Sequence, residues 1–373
     1  MKKILFLLNN NQAHIPHVLS LIDEAINCKS LDVKIAYVNG TDVSMLTEPM
    51  MKCLYKFYDR IALRDLFYLD LLLRYCRFLF RKITKNSHTD YIYIHKVNSS
   101  EISKYDYVIT TELDNGNYLK KINPKIKVIW ALHGPLGVAT SYGTFSDTRG
   151  VDCVITSGET TSNVFKNSKL NICQSGSLKL EWFKNNHVNG GGKLFNNDRR
   201  TVVFNPHFNK KVGANAWDSM GVRVLDYLSS SNEFNVIFAP HPRLGEILKK
   251  TDFDRFRCKN NVIIDLDSEN LSNLYYSNYC DVYVGDVSSQ VYEYIAIKRR
   301  QCIFIDTISY HTDESKIMHS LGQRVENFES FKCVINSGLS KEEEVVQEKV
   351  IENVYSSKFD RPASFALQEI INI

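Results

Sequence analysis

The sequence predicts an α/β protein built from two doubly wound, Rossmann-like domains that face each other across a cleft. Short apolar runs alternate with segments of helical period, and most runs are apolar on both faces, as strands covered by helices on both sides must be. This alternation occurs in two series separated by a polar stretch. The chain has 373 residues, enough for two domains of ordinary size.

Each series contains five predicted strands. Those of the first series are Ile4–Leu8, Val33–Val38, Tyr107–Thr110, Val128–Ala131 and Cys153–Thr156. Those of the second series are Val202–Asn205, Val236–Ala239, Val262–Asp265, Val282–Gly285 and Cys302–Asp306. Two such series predict two separate parallel sheets.

The polar stretch "NNHVNGGGKLFNNDRR" marks the expected linker. It is rich in Asn and Gly and shows no period, so residues 185–200 are read as a connection rather than an element. The first domain is then expected at residues 1–184 and the second at 201–345. A charged segment of helical pattern follows at residues 346–373.

Composition narrows the class of protein. The formal net charge of +4 is too small to indicate a nucleic-acid partner. Nine scattered cysteines without CxxC spacing favour a reducing cytoplasm. The apolar run Ile4–Leu8 is too short for a signal peptide. We therefore expect a cytoplasmic protein.

The segment at residues 52–85 departs from the α/β rhythm. It mixes Leu, Phe and Tyr with nine Lys and Arg residues against three Asp residues, and its apolar runs are too short to span a bilayer. A basic, aromatic-rich amphipathic helix can lie on an anionic membrane surface. A pair of surface helices packed on the domain is the other interpretation.

Ligands of open α/β sheets bind beyond the carboxyl ends of the strands. After Val128–Ala131 comes His133, which has the ordinary pKa of a general base near neutral pH. Gly134 and Gly137 follow and let the backbone approach a ligand closely. A loop histidine that only hydrogen-bonds backbone is the alternative for His133.

Three junctions of the second series predict a nucleotide site. Asn205 and His207 end and follow its first strand, where diphosphate contacts are common. His241 and Arg243 stand on the stiff loop "PHPR", and the planar fork of Arg suits phosphate oxygens. Turn chemistry is the alternative for each.

The stretch "VGDVSSQVYEYIA" forms the third junction. Ser288 and Ser289 are predicted to open a helix whose free N–H groups favour an anion, although serines are also ordinary helix caps. Glu293, one turn further, can accept hydrogen bonds from ribose hydroxyls. Asp286 is expected to shape the turn. No metal-ligand motif is convincing, so neither a metal nor another cofactor is expected.

"HGPLG", "APHPRL" and "VGDVSSQVYEYIAIKRRQCIFID" resemble motifs of the CDP-glycerol glycerophosphotransferase family, whose members have the GT-B fold. The resemblance is strongest over residues 201–306. The sequence departs from the family at two places. "HG" continues with Pro135-Leu136-Gly137, where the family usually has Lys, and "NPHF" stands where the family more often has an "APTWR"-like loop. Donor and acceptor identity therefore stay open.

The resemblance implies transfer of a polyol-phosphate group from a CDP-activated donor to a hydroxyl of a lipid-linked or polymer saccharide in cell-surface assembly. His133 would be the base, and Glu293 would lie near the ribose. The diphosphate would be held by His241, Arg243, Ser288 and Ser289. The enzyme would be peripheral at the inner face of the cell membrane.

Three alternatives remain. The first is an inverting GT-B glycosyltransferase that uses a CMP- or UDP-linked sugar in capsule or lipopolysaccharide synthesis. A nucleotide-sugar 2-epimerase ranks below it, because that chemistry needs several carboxylates and the cleft motifs are mostly basic and hydroxyl. A non-enzymatic membrane scaffold would leave four strand-end motifs unexplained.

Overall fold

The structure is a computed structural model that describes residues 1–8, 12–37, 102–113, 115–134, 149–187, 193–208, 215–266, 269–307, 313–356 and 360–373. Gly137 and the basic segment at residues 52–85 lie outside these ranges, so the expectations for them stay predictions. No helix of the described ranges is both long enough and apolar enough to cross a bilayer.

The first sheet is formed by β1 (Lys2–Leu8), β2 (Leu31–Tyr37), β3 (Tyr107–Thr110), β4 (Lys127–Ala131), β5 (Cys153–Thr156) and β6 (Asn171–Gln174). Its strands are parallel and follow the order β2-β1-β3-β4-β5-β6 in the described chain. The central strands are buried on both faces, because helices cover both sides. The order reverses between β1 and β3, which is the switch point where such sheets bind ligands.

The second sheet is formed by β7 (Arg200–Asn205), β8 (Phe234–Phe238), β9 (Val262–Ile264), β10 (Val282–Gly285), β11 (Gln301–Ile305) and β12 (Gln323–Val325). It is also parallel, in the order β12-β11-β10-β7-β8-β9. This is the order of a Rossmann domain, with its switch point between β7 and β10.

Helices connect these strands. In the first domain they are α1 (Leu19–Asn27), α2 (Asn115–Ile122), α3 (Glu159–Phe165) and α4 (Leu178–His187). In the second they are α5 (Val222–Ser230), α6 (Pro242–Leu248), α7 (Asp254–Arg257), α8 (Glu269–Ser272), α9 (Gln290–Ile297), α10 (Asp313–His319) and α11 (Phe328–Val334). A 3₁₀ turn at Gln12–His17 leads into α1.

The last two helices return the chain to the first domain. They are α12 (Lys341–Val354), which starts at a capping box of Ser340 and Glu343, and α13 (Pro362–Asn372). α12 packs on α9 of the second domain and on α3 of the first, and α13 packs on α1, α4 and β6. One buried apolar cluster consequently contains residues of both domains.

The predicted fold class is confirmed: there are two parallel α/β sheets, and all ten predicted strands are present with small shifts at their ends. Two strands were not predicted, β6 and β12, and both lie at sheet edges. The expected boundary at residue 345 falls inside α12. The expected linker at residues 185–200 starts within α4 and ends at the first residue of β7.

Candidate active site

His133 lies at the carboxyl end of β4, two residues after Ala131. Its ring stacks on the ring of His14, with centroids 3.3 Å apart and 19° between the ring planes. The Nδ1 atom of His133 is buried and has no hydrogen-bond partner among the described residues. Because buried polar atoms are normally paired, this nitrogen is suited to receive a proton from a bound substrate.

The environment of His133 keeps its imidazole neutral. Burial, and after it the neighbouring His14, lowers the pKa of His133 from its ordinary 6.5 to about 3. Glu112 and the backbone of Thr111 act in the opposite direction. At neutral pH the ring is therefore unprotonated and can accept a proton, but a pKa of about 3 makes it a weaker base than the near-neutral pKa expected from the sequence.

His14 and Glu112 meet at the switch point of the first sheet. His14 follows β1 and Glu112 follows β3, and His14 Nδ1 lies 2.8 Å from Glu112 Oε1. The pair orients the His14 ring on which His133 stacks. Neither residue was among the predicted site residues, although both follow strand ends, where ligands of such sheets bind.

Asp286 organises the switch point of the second sheet. It follows β10, is fully buried, and accepts hydrogen bonds from the backbone N–H of His207 at 2.8 Å and of Ala216 at 2.9 Å. Burial raises the pKa of Asp286 to about 7, and these backbone donors oppose the rise. Its role is therefore to hold the turns that carry other site residues, as the sequence predicted.

Ser288 and Ser289 precede helix α9, which begins at Gln290 and not at Ser288 as expected. Ser289 stands at the cap position, yet its side chain makes no capping hydrogen bond. Ser288 is buried, its side chain hydrogen-bonds the Tyr283 hydroxyl, and its Oγ accepts a long contact, 3.4 Å, from the Gln290 N–H. Helix capping thus leaves the Ser289 hydroxyl available to a ligand at the helix N-terminus.

His207, His241 and Arg243 form a compact group beside this turn. The two imidazole rings meet edge to face at 4.5 Å, and both lie 4.7 Å from the ring of Phe208. The Arg243 guanidinium lies 5.1 Å over the same Phe208 ring. His241 caps helix α6 by accepting the Arg243 N–H at 3.2 Å.

Both histidines of this group are neutral near pH 7. Burial lowers the pKa of His207 to about 4, helped by Arg243. Burial also lowers the pKa of His241 to about 3, helped by His207 and Arg243. A bound diphosphate would favour protonation, so the group can adapt its charge to an anion.

The structure does not support the predicted diphosphate contact of Asn205. Its side chain is fully buried, its Nδ2 donates to the Ala239 carbonyl at 2.7 Å, and its Oδ1 accepts from the Tyr283 hydroxyl at 2.8 Å. An amide engaged on both ends inside the sheet is not exposed to a diphosphate. Asn205 ties β7 to its neighbours instead.

The two domains touch at the predicted motifs. Gly134 has a φ of +79°, and a methyl group added there would lie 3.5 Å from Ser289 Oγ. The positive φ favours glycine here, and the distance shows that the His133 loop lies in van der Waals contact with the serine turn. The predicted base and the predicted phosphate turn are brought to one place, whereas Gly137 lies outside the described residues.

A buried ion pair joins the domains next to this contact. Lys179, in the first turn of α4, lies 2.7 Å from Glu293 of α9, and their side chains are 4% and 6% exposed. His17 Nε2 lies 3.9 Å from the other Glu293 oxygen. Burial raises the pKa of Glu293, and Lys179 opposes the rise. No local motif marks Lys179, so it was not among the predicted site residues.

No protein-family model matches the sequence, and no curated protein matches it. Several solved protein structures are similar to this chain. MnaA of S. aureus, in a co-structure with UDP, is 13% identical with a TM-score of 0.60, over 100% of this chain and 95% of that chain. A UDP-GlcNAc 2-epimerase from Neisseria meningitidis bound to UDP-GlcNAc is 11% identical with a TM-score of 0.63, over 100% of both chains.

The wall teichoic acid polymerase TagF is also similar. It is 13% identical with a TM-score of 0.63, over 99% of this chain and 88% of that chain. At such identities, similarity establishes the fold alone. Together with the two parallel sheets and their meeting edges, it confirms that the chain has the predicted GT-B fold.

Proposed function

We propose that the protein is a GT-B transferase that moves a polyol-phosphate unit, such as glycerol phosphate, from a CDP-activated donor to a hydroxyl of a lipid-linked or polymer saccharide. One observation carries the proposal. A neutral imidazole with a free ring nitrogen, His133, lies beside a serine turn at a helix N-terminus contributed by the other domain. Such an arrangement pairs a base with an anion site.

The second domain supplies the donor site in this proposal. Ser288, Ser289, His241 and Arg243 bind the diphosphate, and their donors stabilise the leaving phosphate without a divalent cation. The acceptor hydroxyl oxygen bonds to the phosphorus that carries the polyol, and the bond from that phosphorus to the bridging oxygen breaks. CMP leaves, and His133 takes the acceptor proton.

Glu293 remains a proposed ribose contact. Its carboxylate is engaged by Lys179 in this conformation. Ribose hydroxyls would take over one carboxylate oxygen, and the buried location would make such hydrogen bonds selective. The basic segment at residues 52–85 is proposed to hold the enzyme at the anionic inner face of the membrane, where lipid-linked acceptors are found.

The second candidate is an enzyme that acts on a nucleotide-sugar, either a glycosyltransferase or an epimerase. Glu112 favours it, because this carboxylate lies in the cleft beside the histidines. The predicted cleft motifs contain few carboxylates, which argued against an epimerase, and Glu112 weakens that objection. Two of the similar structures contain UDP or UDP-GlcNAc.

A donor panel separates the candidates. Purified protein is incubated with CDP-glycerol, CDP-ribitol, CMP-sugars or UDP-sugars, with and without a lipid-linked saccharide, and the released nucleotide is quantified. The proposal expects acceptor-dependent CMP release from a CDP-polyol, and none from His133→Ala. The variant should still show thermal stabilisation by the donor. Release of UDP, or conversion of UDP-GlcNAc alone, would replace the proposal by the second candidate.

A further inference from the structure

The proposed base His133 lies in a place where a positive charge is unfavourable. Its ring is buried, and burial and the charge of Lys179 both act against its protonation. When His133 takes a proton from an acceptor hydroxyl it becomes an imidazolium, and a buried charge is costly unless an opposite charge lies close to it. Among the described residues, the carboxylates of Glu112 and Glu293 lie beside histidines of this site.

Glu112 is the carboxylate that favours the protonated state of His133. Glu293 is engaged by Lys179 at 2.7 Å, with both side chains almost completely buried, so these two charges offset each other. Burial and His14 lower the pKa of His133, and among the groups that raise it Glu112 acts most strongly. The negative charge needed beside the imidazolium can therefore come from Glu112.

Three neighbouring strands bring Glu112 and the two stacked rings together. His14 follows β1, Glu112 follows β3 and His133 follows β4, and these strands are adjacent in the first sheet. His14 Nδ1 lies 2.8 Å from Glu112 Oε1, and the ring centroids of His14 and His133 lie 3.3 Å apart. The carboxylate therefore contacts His14, and His14 contacts His133 along its whole ring face.

The turn that carries Glu112 is fixed by its own hydrogen bonds. Thr110 Oγ1 accepts the Glu112 N–H at 3.2 Å and accepts a hydrogen bond from Asn115 Nδ2 at 2.8 Å. The backbone of Thr111 accepts a hydrogen bond from the His133 ring. One short segment thus contacts one ring through its backbone and the other through its carboxylate, so the position of this carboxylate is preorganised.

We infer that Glu112 is a positioning residue of the transfer reaction. Through His14 it holds the His133 ring in place, and its carboxylate stabilises the imidazolium that forms when His133 takes the acceptor proton. The inference rests on the proposed function, in which His133 is the base. The proton stays on His133, because stacked rings do not direct their N–H groups at each other. Position 112 therefore requires a negative charge and not only a hydrogen-bond acceptor.

Titration of isotope-labelled histidine by NMR tests the effect of this charge without a substrate. His14→Asn should raise the pKa of His133 into a measurable range, and Glu112→Gln added to that variant should lower it again. Gln keeps the size and the hydrogen-bond acceptor of Glu and removes only its charge.

Asp152→Asn in the same His14→Asn background is the matched control. The Asp152 side chain is 24% exposed, against 28% for Glu112, but it precedes β5 and pairs with Lys120 at 2.7 Å, at the opposite edge of the sheet. Its loss should leave the pKa of His133 unchanged. Equal pKa values of His133 in the two double variants would overturn the inference.

Kinetics distinguishes this role from a structural one. With CDP-glycerol and a lipid-linked saccharide, Glu112→Gln should lower kcat about tenfold, because part of the base catalysis is lost. The affinity for CDP, measured by calorimetry, should stay at the wild-type value, since the proposed donor groups belong to the second domain. Glu112→Asp keeps the charge and should retain more activity than Glu112→Gln, and Asp152→Asn should keep the wild-type kcat.

The outcomes separate the inference from the proposed function. A wild-type kcat in Glu112→Gln, or equal losses of kcat and of CDP affinity, would overturn the role of Glu112. A wild type that releases no CMP from CDP-glycerol or CDP-ribitol would overturn the proposed function itself. The NMR titration then still decides whether the charge of Glu112 acts on His133.

Discussion

Lys179 and Glu293 connect the two domains through an ion pair of 2.7 Å that is almost completely buried. Each residue belongs to a different domain, and each comes from a helix that begins at the carboxyl edge of its sheet. Protonation of Glu293 or loss of either side chain would therefore weaken a contact that holds the two domains together.

Removing one partner of this pair should destabilise the protein. Lys179→Met leaves a buried carboxylate unpaired, and Glu293→Gln leaves a buried ammonium unpaired, so each should lower the free energy of unfolding by about 3 kcal/mol. The double variant should lose less than the sum of the two. Urea unfolding measures all three, with Lys193→Met as control, because the Lys193–Asp198 pair is exposed. Equal effects of Lys179→Met and Lys193→Met would contradict the assignment.

Asn205 should prove structural rather than ligand-binding. Asn205→Ala removes the donor to the buried Ala239 carbonyl and the acceptor of the buried Tyr283 hydroxyl, so the free energy of unfolding should fall by about 2 kcal/mol. Tyr283→Phe should destabilise wild type more than it destabilises the Asn205→Ala variant, since its hydrogen bond to Asn205 is already gone there. Nucleotide affinity, measured by calorimetry, should stay at the wild-type value. A selective loss of affinity in Asn205→Ala would restore the original sequence prediction.

Acid should destabilise the protein through His207 and His241. Their folded pKa values, about 4 and about 3, lie below the ordinary 6.5, so between these limits the unfolded state binds more protons. The stability that they contribute is complete above pH 6.5 and is lost as the pH falls toward 4. Each contributes a slope of up to about 1.4 kcal/mol per pH unit.

Substitution isolates this contribution. His241→Asn keeps a side chain that can cap α6 but cannot titrate, so its unfolding free energy should vary less steeply than that of wild type between pH 4 and 6.5. The contribution of His241 is the difference between the unfolding free energies of wild type and His241→Asn at each pH. Asp286, with a pKa raised to about 7, contributes a slope of the opposite sign to both curves. Parallel curves would show that His241 is protonated normally in the folded state.

His14 should control the protonation of His133. Four groups act on that ring: His14 and Lys179 lower its pKa, whereas Glu112 and the Thr111 backbone raise it. His14→Asn removes the stacked imidazole and leaves Glu112, so the pKa of His133 should rise. Titration of isotope-labelled histidine by NMR measures this without a substrate, and the acid limb of a pH–rate profile should move the same way. An unchanged pKa would reduce His14 to a packing residue.

The apolar strands were predictable because burial on both faces leaves a clear pattern, as in Val282–Gly285. β6 and β12 lie at the sheet edges, and their sequences "NICQ" and "QRV" are polar and short. An edge strand is held by one neighbour and can form with less apolar surface. β6 and β12 do so and their sequences resemble those of loops, whereas the edge strands β2 and β9 keep an apolar pattern and were predicted.

The candidate site was predictable where a residue follows a strand in a recognisable motif, as His133 and Ser289 do. Gly134, next to His133, lies in contact with Ser289, and the roles assigned to His133 and Ser289 stay predictions. Lys179 belongs to no such motif, because only the tertiary packing of α4 brings it next to Glu293. Asn205 was misassigned since position alone does not tell whether an amide faces solvent or its neighbouring strands.

The last helix has a consequence for synthesis of the protein. α13 covers α1 and α4, so residues 362–372 complete the apolar layer of the domain that the chain begins with. Every strand of the second sheet leaves the ribosome before α13 does. Domains usually fold in the order in which they are translated. Here the domain translated first acquires its full core last, after the second sheet has already been able to form.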